Sequence, residues 1–398
     1  MRILLVTFSN SIHVVRWVNQ ISGQGWDIHL FPSLEYEIHP DLQNVTVHDF
    51  KTRPLSLHES VQLAGTSKFP GGFKLANRLM NRLGLSQLIS GVDTDRGKRL
   101  AQVIKRLKPD IVHSLEIQHG GYLTLEAKKL LGDSHPPWIV TNWGSDIFYF
   151  GHIPEHAPRI RSVLEQCDFY SCECHRDVEL GRQFGFTGEI LPVFPNTGGF
   201  DLEKVKSLRH PGRISERRLI MLKGYQGWVY RALVGLQALA SCAKELDGYR
   251  IAVYLASPEV VEEAKRLSEA KRMAIDIIPY SPHKDILRLH GKARISIGLS
   301  MSDAISTSFL EAIVMGSFPV QSCTSCADEW VNHGKTGLIV PPDDVPAVTV
   351  AIKWALTDDD LVDKAAEQNA KMVSERLDSK KIQKQVVQMY EKVVSQSK

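Results

Sequence analysis

The sequence predicts an α/β protein built from two doubly wound, parallel-sheet domains. Three observations carry that expectation. The chain opens strand, helix, strand: Arg2 to Phe8 reads as a strand, Val14 to Ile21 as a helix and Trp26 to Phe31 as a second strand, a β-α-β unit whose strands lie side by side in parallel. Strand-like and helix-like stretches keep alternating to about Asp344, and helices follow to the C-terminus. Between Pro192 and Asp201, in Pro-Val-Phe-Pro-Asn-Thr-Gly-Gly-Phe-Asp, turn-forming residues are so dense that no element runs through. With 398 residues there is room for two domains of ordinary size: 1–195, and 196–379 with a C-terminal helix at about 380–398.

Composition narrows the class. Hydrophobic residues are 43% and charged residues 23%, the balance of a packed globular protein. A formal net charge of +3 does not point to nucleic acid. No apolar run reaches the ~18 residues of a membrane span, and the short apolar N-terminus runs straight into a helical pattern, so cytoplasmic residence is expected. Of six cysteines, Cys323-x-x-Cys326 is spaced like a ligand pair and Cys172-x-Cys174 less so. A structural zinc needs four ligands at workable spacing, so reduced, structural thiols are the expectation.

In the first domain, Ser9, Asn10 and His13 follow the first strand, at the carboxyl end where open α/β sheets bind ligands; His13 as a helix cap is the alternative. The first turn lacks G-x-G-x-x-G, which argues against a dinucleotide enzyme. Residues 60–92 hold no acidic residue, and Lys68, Lys74, Arg78 and Arg82 alternate there with apolar side chains. Phe73 to Leu83 reads as a basic amphipathic helix. It either packs on its own domain or lies on an anionic membrane surface through residues 68–85, the peripheral inner-face location. Asp93-Thr-Asp95 has the letters of a metal-binding acid pair, but it precedes a helix and reads as capping. A strand over Pro109 to His113 leaves His113, Glu116 and His119 at its end. Another, Trp138 to Asn142, is followed by Trp143-Gly-Ser-Asp146; Asn142 and Asp146 sit at that end, with turn capping as the other role for Asp146. Further strands cover Asp168 to Cys172 and Glu189 to Val193.

The second domain holds the densest chemistry. Arg218 to Lys223 is a strand ending in the loop Gly224-Tyr-Gln-Gly-Trp228, and a helix is expected from about Val229 to Leu246. Lys223 at the strand end and Arg231 in the first helical turn can meet one anion; a solvated lysine is the alternative for Lys223. Strands follow at Arg250 to Leu255, Ala274 to Ile278 and Ala293 to Leu299, with Pro279-Tyr280-Ser-Pro282 between a strand end and a helix. Then comes Asp303-Ala-Ile-Ser-Thr-Ser-Phe-Leu-Glu311. Ser306, Thr307 and Ser308 lie where a helix begins, Phe309, Leu310, Ile313 and Val314 recur at helical spacing, and Gly316 suits its end. A helix start exposes N–H groups that suit an anion, and two acids beside it can accept from the hydroxyls of a nucleotide sugar.

That pattern, an acid, seven residues, Glu-Ala, then Gly-x-x-Pro-Val, resembles the motif of retaining GT-B glycosyltransferases of the family 4-like, group 1 kind. The family has Glu at both ends; this chain has Asp303 at the first, and Ser-Thr-Ser where Gly-Leu is common. The 192–201 boundary is similar to the family's Pro-Asn-Gly-x-Asp linker, and Gly334-x-x-Gly337 to Asp344 to its closing segment. The resemblance implies two Rossmann-like domains with a cleft between them, and the last helix returning to the first domain.

It also implies roles. Asp303 contacts donor-sugar hydroxyls and Glu311 the ribose. Lys223 and, offset by some residues, Arg231 hold the diphosphate, aided by the amides of Ser306, Thr307 and Ser308, while Tyr280 lies near the base. On the acceptor side stand Ser9, Asn10, His13, Glu116, Asn142 and Asp146, with His113 and His119 as candidates facing the reacting carbon. The expected reaction is transfer of a sugar from a nucleoside diphosphate to an acceptor hydroxyl with retention, in glycan, polysaccharide or glycolipid synthesis. The acceptor is a sugar or a lipid-linked sugar. No cofactor or metal is expected, since the nucleotide sugar is a substrate. A sugar-nucleotide epimerase and a non-catalytic glycosyltransferase-like partner subunit are the alternatives.

Overall fold

The computed structural model describes residues 1–48, 57–64 and 94–396. The basic stretch 68–85 and Asp93 lie outside them. The chain divides into two compact units: Met1–Cys172 with Val178–Pro192 and Gln383–Lys398, and Glu173–Asp177 with Val193–Ile382.

The first unit carries an eight-stranded parallel sheet in the order β4-β3-β2-β1-β5-β6-β7-β8. β1 is Arg2–Thr7, β2 Asp27–Pro32, β3 Val45–His48, β4 Val61–Ala64, β5 Ile111–Leu115, β6 Trp138–Thr141, β7 Phe169–Ser171 and β8 Glu189–Ile190. β1 lies mid-sheet, with Leu4 beside His29 on one flank and Val112 on the other. Its residues Ile3 to Thr7 are all buried, which is why it reads as a continuous apolar run rather than an alternating one. The helix Ile12–Ile21 starts at Ser11, whose hydroxyl accepts from the His13 N–H, so His13 is not the cap. β3 and β4 are two short strands beyond those expected from the sequence.

The second unit is a six-stranded parallel sheet in the order β11-β10-β9-β12-β13-β14. β9 is Leu219–Lys223, β10 Arg250–Tyr254, β11 Ile275–Ile278, β12 Ala293–Gly298, β13 Phe318–Ser322 and β14 Leu338–Val340. Ile220, Leu222, Ile251, Val253, Ile295 and Ile297 from its central strands meet Leu236, Leu239, Ile352 and Ala355 from the covering helices in one core. Burying each such aliphatic side chain stabilises by roughly 1.5–3 kcal/mol. The helix after β9 is shorter than its apolar pattern suggests, Ala232–Ser241. Val229 and Arg231 instead bond the chain beyond β12, through Met301 N–H to the Val229 carbonyl and Arg231 N–H to the Leu299 carbonyl.

Both sheets reverse their order at a central pair, β1/β5 in one and β9/β12 in the other. At such switch points neighbouring loops diverge and leave a crevice at the carboxyl ends of the strands. Among the described residues no helix is long and apolar enough to cross a membrane.

Candidate active site

At the β9/β12 switch point of the second unit, three charged groups converge. Lys223 ends β9, Asp303 lies on the loop after β12, and Glu311 lies inside the helix Thr307–Val314. Burial lowers the Lys223 ammonium pKa, and the charges of Asp303 and Glu311 act against that shift. Burial raises the Asp303 carboxyl, against Lys223, the Ala304 N–H and Arg176. The Lys223 Nζ sits 5.4 Å from the ring centre of Tyr225 and 5.0 Å from that of Tyr230, a cation between two π faces. Burial, with Asp303 and Tyr225 nearby, pushes the Tyr230 hydroxyl up to about 12, so it stays a neutral donor at pH 7.

The helix Thr307–Val314 has its N-cap at Ser306, whose side chain makes no capping bond. The Ser306 hydroxyl pairs with that of Ser308 at 2.8 Å, so no serine oxygen screens the first-turn amides. Such N–H groups carry the partial positive charge of a helix start, which suits phosphate. At the other end Gly316, at φ +82°, donates to the Ile313 carbonyl, and Ser317 to that of Ala312. This closes the helix in a Schellman motif that needs the left-handed region glycine tolerates.

Glu311 is buried, at 6% exposure, yet its Oε1 meets Nε2 of the half-exposed His283 at 2.6 Å. Sequence reasoning missed His283, which lies 28 residues from Glu311; its signal was its position just past Pro282 at a helix start. Tyr254 and His290 lie behind the helix, Tyr254 bonded to Ser308 and His290 Nδ1 to Ser296 Oγ at 2.9 Å. Burial lowers His290 to about 4.

Beside this cluster a cavity of about 410 Å³ is lined by Tyr225, Leu255, Ala256, Ser257, Ile277, Ile278, Pro279 and Tyr280. Tyr280 is 96% exposed at its rim. Gly224 lets the loop after β9 run close to β10: a Cβ there would lie 2.7 Å from the Ala256 Cα. Arg231 turns elsewhere. Its Nη1 donates to the carbonyls of Gly227 (2.8 Å) and Tyr230 (3.0 Å), so its guanidinium braces the loop that carries Tyr225 and Tyr230.

In the first unit, the loops after β1, β5 and β6 gather Glu116, His119 and Asp146. Asp146 Oδ2 accepts from the Ile117 and Trp143 N–H groups at 3.0 and 2.8 Å, tying the two loops together. Buried Glu116 accepts from the N–H groups of His119, at 2.8 Å, and Gly120, and its Oε2 lies 3.2 Å from His119 Nδ1. Glu116 has φ +85° and ψ 150°, a conformation almost reserved for glycine and costing about 1–3 kcal/mol. The capping bonds offset that cost. They hold His119 partly exposed with its ring 5.1 Å from Phe8. A Cβ on Gly120 would lie 2.5 Å from the Val6 carbonyl oxygen, so only glycine lets this turn pass β1. His13 stands nearby with its ring 5.6 Å from Trp143, and Asn10 is exposed. Ser9 is buried and bonds the Tyr36 and Glu37 carbonyls, while buried Asn142 accepts from the Tyr170 hydroxyl.

His113 is a correction. It lies inside β5, not past its end, and is fully buried. The Trp17 indole donates to the Tyr390 hydroxyl, which lies 2.6 Å from His113 Nδ1, and His113 Nε2 lies 2.7 Å from Thr141 Oγ1. Both ring nitrogens are occupied, and burial takes the imidazole down to about 3. It is a neutral residue of the core.

Two family models match the chain. The model described as glycosyl transferases group 1 matches residues 234–372, and that described as glycosyl transferase 4-like matches residues 2–67 and 96–167. No curated protein sequence matches it. Among solved structures, the sucrose-phosphate synthase of Thermosynechococcus elongatus is similar at TM-score 0.68 and 15% identity, over 100% of both chains. Anabaena HepE in complex with UDP and glucose is similar at 0.67 and 15%, over 98% of this chain and 100% of that one. The E. coli trehalose-6-phosphate structure bound with UDP-2-fluoro glucose is similar at 0.69 and 12%, over 99% of each.

Proposed function

This chain belongs to the group 1 glycosyltransferases of the GT-B fold, and from that premise we propose that it moves a sugar from a nucleoside diphosphate to an acceptor hydroxyl with retained anomeric configuration. The observation that carries this reading is the convergence of Lys223, Asp303 and Glu311 beside a helix start with no side-chain cap. In it, the Glu311 carboxylate, steadied by His283, accepts from the ribose hydroxyls. Asp303 accepts from hydroxyls of the sugar. Lys223 and the first-turn amides at Ser306, Thr307 and Ser308 take the diphosphate, whose charge grows as the glycosidic bond breaks. The 410 Å³ cavity with Tyr225 and Tyr280 takes the base. The UDP in two of the similar structures makes UDP the first nucleotide to try.

The step itself uses the donor's own leaving group. The acceptor oxygen bonds C1 on the face from which the diphosphate departs, and the acceptor proton passes to the departing phosphate oxygen. No resident cofactor or metal enters the proposal. In the first unit, His119 held by Glu116, with Asp146 and His13 on adjoining loops, is assigned to the acceptor. The product class is a glycan, polysaccharide or glycolipid.

The test is binding and slow hydrolysis of UDP-, GDP- and ADP-sugars by the parent, Glu311→Ala and Lys223→Ala. One donor is expected to bind the parent and be hydrolysed, with both variants weakened at least tenfold. Parent-like binding by both would overturn the assignments.

A further inference from the structure

We propose that Cys174 and Cys326 are a redox site: they join in a reversible disulfide that latches the segment Glu173–Asp177 onto the loop after β13, which is hydrogen-bonded to the loop bearing Asp303. The two sulfurs lie 2.9 Å apart although 152 residues separate them in sequence. Both side chains are buried, and with Ala304 they form a small cluster of their own. Closing a disulfide from that separation takes about 0.9 Å of further approach.

The surroundings hold the pair in register. The Glu329 carboxylate accepts from the His175 N–H at 2.8 and 3.0 Å and from the Arg176 N–H at 3.3 Å. The Arg176 guanidinium donates to the Thr324 carbonyl at 3.0 Å and the Asp303 carbonyl at 2.9 Å. The Asp303 N–H in turn reaches the Thr324 carbonyl at 3.3 Å. The segment and the Asp303 loop are thus one hydrogen-bonded assembly with two thiols at its centre. Glu329 is the third group within ligand reach of the sulfurs. Its carboxylate is already committed to backbone N–H groups, so the geometry favours a covalent bond over a cation, which wants four ligands.

In the reaction each thiol gives up its proton, and one S–S bond replaces two S–H bonds. The two electrons and two protons pass to a low-molecular-weight disulfide, which is cleaved into two thiols. The Cys326 sulfur bonded to it, then burial and the neighbouring Asp177, raise the Cys174 thiol well above its usual range, so little thiolate forms and oxidation is slow.

The experiment incubates the full chain with oxidised glutathione, caps remaining thiols and maps linkages by mass spectrometry, with melting followed in parallel. The expected product is a single Cys174–Cys326 link and a Tm raised by roughly 5–10 °C, both reversed by dithiothreitol. Cys174→Ser and Cys326→Ser, each required to melt cooperatively when reduced, lose both effects, and exposed Cys323→Ser keeps them. A Cys323–Cys326 link, stable glutathione adducts without a crosslink, no thiol loss after prolonged incubation, or an unraised Tm would overturn the proposal. None of these readouts involves a nucleotide sugar, so failure here leaves the transferase reading intact.

Discussion

Replacing Glu311 with Gln is the sharpest test of the donor site. Glutamine keeps the volume and an oxygen that can accept from His283 Nε2, now at 2.6 Å, so the buried helix is not opened. What changes is the charge and one acceptor position. Hydrogen bonds to a charged group contribute about 1.5–3 kcal/mol and neutral ones about 1 kcal/mol. Two ribose hydroxyls therefore lose about 2–3 kcal/mol together, a roughly 30- to 150-fold weaker Kd. Titration calorimetry with the best-binding nucleoside diphosphate measures that loss. Inorganic diphosphate, which has no ribose, is the internal control. Removing a negative charge near Lys223 should leave its affinity unchanged or slightly tighter. An equal loss for both ligands would mean that the variant damaged the site rather than a ribose contact, and no loss for the nucleotide would remove Glu311 from the donor site.

Two other predictions concern protonation. On the proposed reading Lys223 takes the diphosphate as a cation, and burial lowers its pKa, so nucleoside diphosphate affinity should fall on the alkaline side, earlier than an ordinary lysine would give. Lys223→Arg, cationic throughout, should give a flat profile over the same range; a flat profile in the parent would refute the role. Stability should fall on acidification. His113 and His290 are fully buried and titrate at about 3 and about 4 when folded, against about 6.5 unfolded. The unfolded chain therefore holds more protons below pH 6.5, and the stability present above it is lost as pH drops toward 4. At pH 5 each costs roughly 2 kcal/mol relative to pH 7. Asp303, whose pKa is raised, opposes this with the other sign. Urea midpoints at pH 7 and 5, with His290→Gln as the less sensitive comparison, check the balance, and equal midpoints for the parent would refute it.

The chain order alone determined a good deal. Continuous apolar runs such as Ile3 to Val6 and Leu219 to Leu222 read as strands, because a parallel sheet covered by helices leaves no solvent side to alternate with. The helix that holds Glu311 was legible at both ends, since a serine start and a glycine in the left-handed region are local backbone requirements. The family was legible as a resemblance, carried by Asp303, Glu311-Ala and the following Gly-x-x-Pro-Val. Tertiary packing decided the rest. Whether His113 meets a substrate or the core depended on Trp17 and Tyr390, distant in sequence, which occupy its surroundings. The carbonyls that Arg231 meets within its own loop could not be read from its place after β9. His283 reached Glu311, and Cys174 reached Cys326, across 28 and 152 residues. Such pairings have no local pattern. A side chain's partners are set by where strands are laid in the sheet, and that order is a property of the whole packed chain.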